Sequence, residues 1–208
     1  MSVLQGFITN LGKYNEGELV GKWFAFPTDQ ETLDAALREI EIGPEYEEYF
    51  MTDYDCDISG VYKVLGEYES LRELNYLGHV LEELDDRQGE FEAVLDQHGA
   101  SSIKDLINIA GSLDNFHIVG DISTETELGD FLVDNEFLDV PEHLLNYLDY
   151  EAIGRDHILN GSGSITKYGY VEGDGDIEDI YDGEEIPEEY DIQPVEPAPV
   201  QTQTMKFQ

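Results

Sequence analysis

The stretch LEELDDRQGEFEAVLDQHG, residues 81–99, decides how the chain is read. Leu81, Leu84, Phe91, Val94 and Leu95 recur at helical spacing, which predicts a packed helix pair ending at Gly99. The other positions are nearly all carboxylates: Glu82, Glu83, Asp85, Asp86, Glu90, Glu92 and Asp96, opposed only by Arg87. A solvated helix face ordinarily mixes both signs, so a one-signed face needs a reason.

The whole chain follows this pattern. Ten Lys and Arg face 48 Asp and Glu in 208 residues, a formal net charge of −38. Solubility asks for a net charge of only about 2 to 8 on a small domain, and a larger one destabilises the compact state by self-repulsion. Hydrophobic residues at 40% and aromatics at 11% are core-building values, so the chain is expected to fold. The single Cys56 cannot form an intrachain disulfide and fits a reducing cytoplasm. MSVLQGFITNL lacks the basic region of a secretory signal. No apolar run approaches the roughly 20 residues that span a bilayer. Charge therefore points to a basic partner, a protein with a cationic groove.

Composition changes near Val171. Residues 172–208 hold 12 acids, one base (Lys206) and four of the seven prolines, and are expected to be a disordered or loosely held acidic tail. Removing the tail's net −11 leaves −27 on residues 1–171, so the folded part carries most of the charge.

The expected fold class is α+β. LQGFITNL and LVGKWFAFP read as strands joined by the turn-rich GKYNEG, with Trp23, Phe24 and Phe26 filling the first core. TDQE, residues 28–31, gives a capping-box pattern before a helix burying Leu33, Ala36, Leu37 and Ile40. EEYFMTDYDCDI follows as a third strand, completing an N-terminal α+β domain over residues 1–66.

Residues 67–112 form a helical middle domain. Leu71, Leu74, Leu77, Leu81 and Leu84 make one stripe, and Ile103, Leu106, Ile107 and Ala110 another. Residues 113–171 form a second α+β domain. NFHIVGDI and SITKYGYV read as strands, TETE caps a helix, and VPEHLLNYLDYEAIGRDHIL supplies one or two more, with Pro141 at a first helical position. Leu144, Leu145, Tyr147, Leu148 and Tyr150 are expected mainly in the core, some of them in a dimer contact.

Tests for chemistry are negative. Asp53, Asp55 and Asp57 alternate, but a calcium loop needs Gly and Glu where Ile58 and Val64 stand. The tail's DGDIEDIYDGEE fails likewise at Asp179. GSGSITK is no phosphate loop, the five histidines form no zinc pattern, and there is no nucleophile elbow. Scattered basic residues exclude direct nucleic-acid binding. No catalytic residue, cofactor or metal is expected, and the chain is read as a non-enzyme.

A dense carboxylate surface has a physical use of its own. Duplex DNA carries one charge per roughly 1.7 Å, so 27 charges match about 46 Å, some 14 base pairs. Carboxylates at i and i+4 on a helix, as Glu82 with Asp86 and Glu92 with Asp96, are about 6 Å apart along its axis. That is close to two phosphate steps of about 3.4 Å on one strand.

NLGKYNEGELVGKWFAFPTD (residues 10–29), EIGPEYEEYFMTDYD (residues 41–55) and VPEHLLNYLDYEAIGRD (residues 140–156) resemble, in order, segments of the ArdA antirestriction family. The resemblance implies a DNA mimic from a mobile genetic element, acting in the bacterial cytoplasm. It would occupy the DNA-binding groove of type I restriction-modification enzymes, in their methyltransferase core. It also implies an elongated array of three small domains and a homodimer. The function falls to a surface: Glu82, Glu83, Asp85, Asp86, Glu90, Glu92 and Asp96, continued by Glu125, Glu127, Asp130, Asp134, Glu136, Asp139, Glu142, Asp149, Glu151 and Asp156. Two other classes compete with this reading. One is a general acidic partner or regulator of another basic DNA-binding protein; the other is an acidic enzyme adapted to high salt.

Overall fold

The computed structural model describes residues 2–161, 163–172 and 175–193. They fall into two compact units, one of residues 2–83 with 183–193, the other of residues 84–182. Both are mixed α+β with a small antiparallel sheet.

In the first unit, β1 (Leu4–Asn10) lies between β2 (Gly21–Phe26) and β3 (Tyr49–Cys56). Phe7 pairs with Trp23, and Leu4 with both Phe26 and Cys56. Their connections hold α1 (Leu11–Asn15) and α2 (Gln30–Glu39). The central strand ends on Asn10, fully buried, whose amide is used at both ends. Its Oδ1 accepts the Lys13 N–H at 3.0 Å, capping α1, and its Nδ2 donates to the Ile40 carbonyl at 3.0 Å. This short helix replaces the turn expected at GKYNEG. Asp29, not Thr28, caps α2, accepting the Thr32 N–H at 2.8 Å. Leu33, Ala36, Leu37 and Ile40 are buried as the spacing predicts.

Helix α3 (Leu71–Glu83) packs on β2 through its leucine stripe. Gly78 makes this approach close, since a side chain there would strike the Phe26–Pro27 backbone. Phe24 and Phe26 join the core, but Trp23 is 44% exposed. Strand alternation explains the correction: β2 is an edge strand, and Trp23 lies on the face opposite Phe24.

The second unit starts with a 3-10 turn at Asp85–Arg87, followed by α4 (Gln88–His98) and α5 (Ile103–Gly111). Gly99, with φ 71°, ends α4, and Ser102 caps α5. Strand β4 (Ile118–Val119) is only two residues of the expected NFHIVGDI. Helix α6 (Glu125–Asp134) begins with the Thr124/Glu127 capping box that its sequence predicts. A 3-10 stretch, Glu142–Tyr147, precedes α7 (Tyr150–Asn160), and Pro141 stands at the N-cap of that 3-10 stretch rather than inside a helix. SITKYGYV is a hairpin rather than one strand: β5 (Ser164–Thr166) turns at Lys167 and Tyr168 into β6 (Gly169–Val171). Gly169, at φ 132°, permits that return.

Helices α6 and α7 cross at two glycines. A Cβ on Gly129 would overlap the Tyr150 carbonyl, and one on Gly154 the Glu125 carbonyl. The crossing seats Leu128 and Leu132 with Ile122 and Tyr170 in a core that Ile153 and Ile158 close. Among the described residues, no helix is long and apolar enough to cross a membrane.

The tail departs from expectation. Residues 175–193, expected to be disordered or loosely held, are held by specific contacts, 175–182 within the second unit and 183–193 within the first, with Tyr181 and Ile192 buried. Specific side-chain contacts, described below, outweigh the like charge that predicts disorder. Residues 194–208, the rest of that prediction, lie outside the described residues.

Candidate functional site: the carboxylate surface

Core demands decide where the acids go. On α3, the leucines at 74, 77 and 81 take the inner face, and the helix ends with Glu82 and Glu83 in solvent. Asp85 and Asp86 follow on the 3-10 turn, both exposed. Asp85 sits at φ 45°, a left-handed conformation that Asp tolerates better than most residues. Phe91, Val94 and Leu95 bury one side of α4, leaving Asp96 exposed and Glu90 and Glu92 half-buried.

The same logic holds further on. Burial of Leu128, Leu132 and Val133 turns Glu127, Asp130 and Asp134 outward on α6, with Glu125 half-buried. Glu136, Asp139 and Glu142 are exposed in the connection, and Asp149, Glu151 and Asp156 on α7 and its cap. Asp130 and Asp134, one helical turn apart, are separated by about 6 Å along the axis. None of the 17 acids singled out from the sequence is buried. Glu82 and Glu83 belong to the first unit and the others to the second.

Some of these acids also have local structural work. Glu127 closes the capping box, where the Ser123 N–H holds its carboxyl below the usual range. Asp149 caps α7 by accepting the Ala152 N–H at 3.0 Å. Glu90 pairs with Arg87 at 2.8 Å, and Glu83 accepts the Tyr190 hydroxyl at 2.7 Å. Glu125 and Glu151 share Arg155, at 4.0 and 3.6 Å. Among the described residues, Glu82, Asp85, Asp86, Asp96, Asp130, Asp134, Glu136, Asp139, Glu142 and Asp156 make no ion pair.

Sequence reasoning left acids out. Asp53, Asp55 and Asp57, read only as a failed calcium loop, stand exposed on β3 and just past its end. Their alternation was the available signal. Asp182, Glu184, Glu185, Glu188 and Glu189 are exposed on the tail segment, which charge alone would have placed in a free arm. Among the described residues, no group of three or more His, Cys, Asp or Glu side chains is placed to hold a metal ion.

An apolar surface accompanies the acids in the second unit. Phe137, Leu138, Leu144 and Tyr147 are exposed, Tyr147 at 84%, contrary to the core position expected for Leu144 and Tyr147. The short 3-10 stretch carrying those two presents no buried side, and none of its residues is buried. Phe137 and Leu138 border a groove of about 530 Å³ between α6 and α7, lined also by Leu132, Ile153 and His157.

Comparison with known families matches residues 7–172 to the antirestriction protein (ArdA) family. The match spans well over half of the chain, and the chain belongs to that family. No curated protein matches it.

Proposed function

We propose that this protein is an antirestriction inhibitor whose carboxylates stand in for the phosphates of duplex DNA. It competitively occupies the DNA-binding groove of type I restriction-modification enzymes, in the methyltransferase core. The observation that supports this most is the outward placement of the whole carboxylate set on a member of the ArdA family. A groove lined by Lys and Arg exchanges its bound anions for the fixed acids of the inhibitor, as it does for phosphates, so binding weakens with salt. The protein needs no catalytic group and no cofactor for this, and does not itself bind nucleic acid.

The working form is a homodimer in the bacterial cytoplasm, encoded on a mobile element. The exposed Phe137, Leu138, Leu144 and Tyr147 supply the apolar contact that a second copy would cover. The test is restriction in cells. Unmodified phage should plate more efficiently on a type I restricting host when the protein is made. Unchanged plating, with the protein present and folded, would remove the proposal.

A further inference from the structure

Helix α5 carries a polar line beside its apolar residues. Lys104, Asn108, Ser112 and Asn115, the last two just past its end, recur at helical spacing beside Ile103, Leu106, Ile107 and Ile109. All four contact the chain after β6. Lys104 meets Asp179 at 2.8 Å. Asn108 accepts the Tyr181 N–H at 2.8 Å and donates to the Tyr181 carbonyl at 3.1 Å. Ser112 Oγ accepts the Glu178 N–H at 2.9 Å, and Asn115 donates to the Asp176 carbonyl at 2.9 Å. Asn108 is only 4% exposed. Gly111 leaves the room that Ile180 occupies.

Helix α3 repeats the device in the other unit. Arg72 grips Asp191 with two hydrogen bonds, at 2.7 and 2.9 Å. Asn75, fully buried, donates to the Tyr190 carbonyl at 3.1 Å and accepts the Thr28 N–H at 2.7 Å. The Tyr190 ring stacks on Tyr76 at 5.6 Å and lies 4.6 Å from His79. Arg72, Asn75, Tyr76, His79 and Glu83 follow one another at helical spacing.

Apart from the Thr28 N–H, the partners of these two stripes all lie past residue 172, where the family match ends. We infer that residues 175–193 are a built-in strap, an acidic peptide read by two polar helix stripes, on which the stability of both units depends. The segment carries nine acids and no base, so its charge opposes docking on an acidic protein. It docks because two buried asparagines bond its backbone, and because Tyr181 and Ile192 bury apolar surface. Without the strap, the Asn108 amide would face an apolar helix surface with neither of its strap partners. An arm kept only for charge would have no use for side chains that read its main chain.

Hydrogen exchange on the full chain tests this without reference to restriction, so its outcome is independent of the proposed function. The Glu178 and Tyr181 amides should exchange at least tenfold more slowly than in an unstructured peptide. Asn108→Ala should abolish that protection and lower the melting temperature by about 3 °C or more. Should that variant fail to fold, Asp191→Asn with Tyr190→Ala alters only the strap, and should lower the melting temperature while speeding exchange at Gln193, whose N–H donates to the Gln30 side chain at 2.6 Å. Free exchange at Tyr181 in the unaltered chain, or an unchanged melting temperature in the double variant, would overturn the inference.

Discussion

Arg87 and Asp114 meet at 2.8 Å, tying the turn before α4 to the 3-10 turn that follows α5. Other cations tie elements in the same way. Lys22 reaches from β2 to Glu39 on α2 at 2.5 Å, and Arg155 from α7 to Glu125 on α6 at 4.0 Å. Lys13 joins α1 to Glu41 at 3.2 Å, and Arg72 joins α3 to the strap. Among the described residues Arg38 pairs within α2, and Lys63 and Lys167 lie over the neighbouring Tyr62 and Tyr168 rings; the other cations are cross-ties between elements. The one-signed face of residues 81–99 follows from this division of labour.

Removing a cross-tie should therefore weaken the protein although it makes the chain more acidic. Arg87→Gln is expected to cost about 1 kcal/mol, since its partners are exposed. It should not improve inhibition. Asp96→Asn and Asp130→Asn, which break no ion pair, should leave urea unfolding unchanged.

The glycine crossing should tolerate substitution poorly. Gly154→Ala places a methyl group on the Glu125 carbonyl, and the backbone on both sides must move. Overpacking of this kind costs roughly 2–3 kcal/mol, readable as a lowered urea midpoint. Helix propensity alone would predict the opposite sign. Thr124→Ala, which removes the α6 cap, should cost about 1 kcal/mol.

Much of this was legible in the sequence, and the failures share a cause. The leucine stripes, the Thr124 cap and the Gly99 stop are local patterns, and they appear where spacing places them. Trp23 went to the wrong side because composition does not say which strand lies at an edge. Leu144 and Tyr147 went to the core because apolar character does not reveal whether a partner element exists to cover it. Charge, a local property, points to a loose tail, whereas its hold comes from Arg72, Asn75, Lys104 and Asn108, 70 or more residues earlier. Helical spacing turns acids such as Asp130 and Asp134 outward, but it does not tell which acids also tie or cap an element, as Glu125, Glu127 and Asp149 do.

Stability should fall in acid for a definable reason. The Thr32 N–H holds the Asp29 carboxyl below the usual range, as Ser101 does for Asp105, Ser123 for Glu127 and Arg72 for Asp191. A carboxyl whose folded pKa is lowered contributes stability above its unfolded value and loses it as pH falls through the folded one. That places the loss below about pH 4. Relief of repulsion among the other acids acts in the opposite direction. The comparison with Asp191→Asn isolates the tie: its melting temperature should fall less between pH 5 and pH 2 than that of the parent chain.

The alkaline side has the reverse sign. Glu83, accepting the Tyr190 hydroxyl, pushes that phenol up to about 12. A raised folded value stabilises below the unfolded one, about 10, and the gain disappears as pH climbs through the folded value. Exchange protection around Tyr190 should therefore decline between about pH 10 and pH 12. Tyr190→Phe should show no such decline.

The carboxylate surface should act as a set. Single substitutions such as Asp86→Asn or Asp156→Asn should change target affinity by less than about twofold, as exposed charges do. Replacing Asp130, Asp134, Glu136 and Asp139 together by their amides should weaken binding by roughly tenfold or more, and flatten its dependence on salt.

The most direct measurement is competition between this protein and duplex DNA for a purified type I methyltransferase, titrated at several salt concentrations. Binding should be mutually exclusive and weaken steeply as salt rises, while the melting temperature of the free protein rises over the same range. Simultaneous binding of protein and DNA, or no binding at low salt, would contradict it.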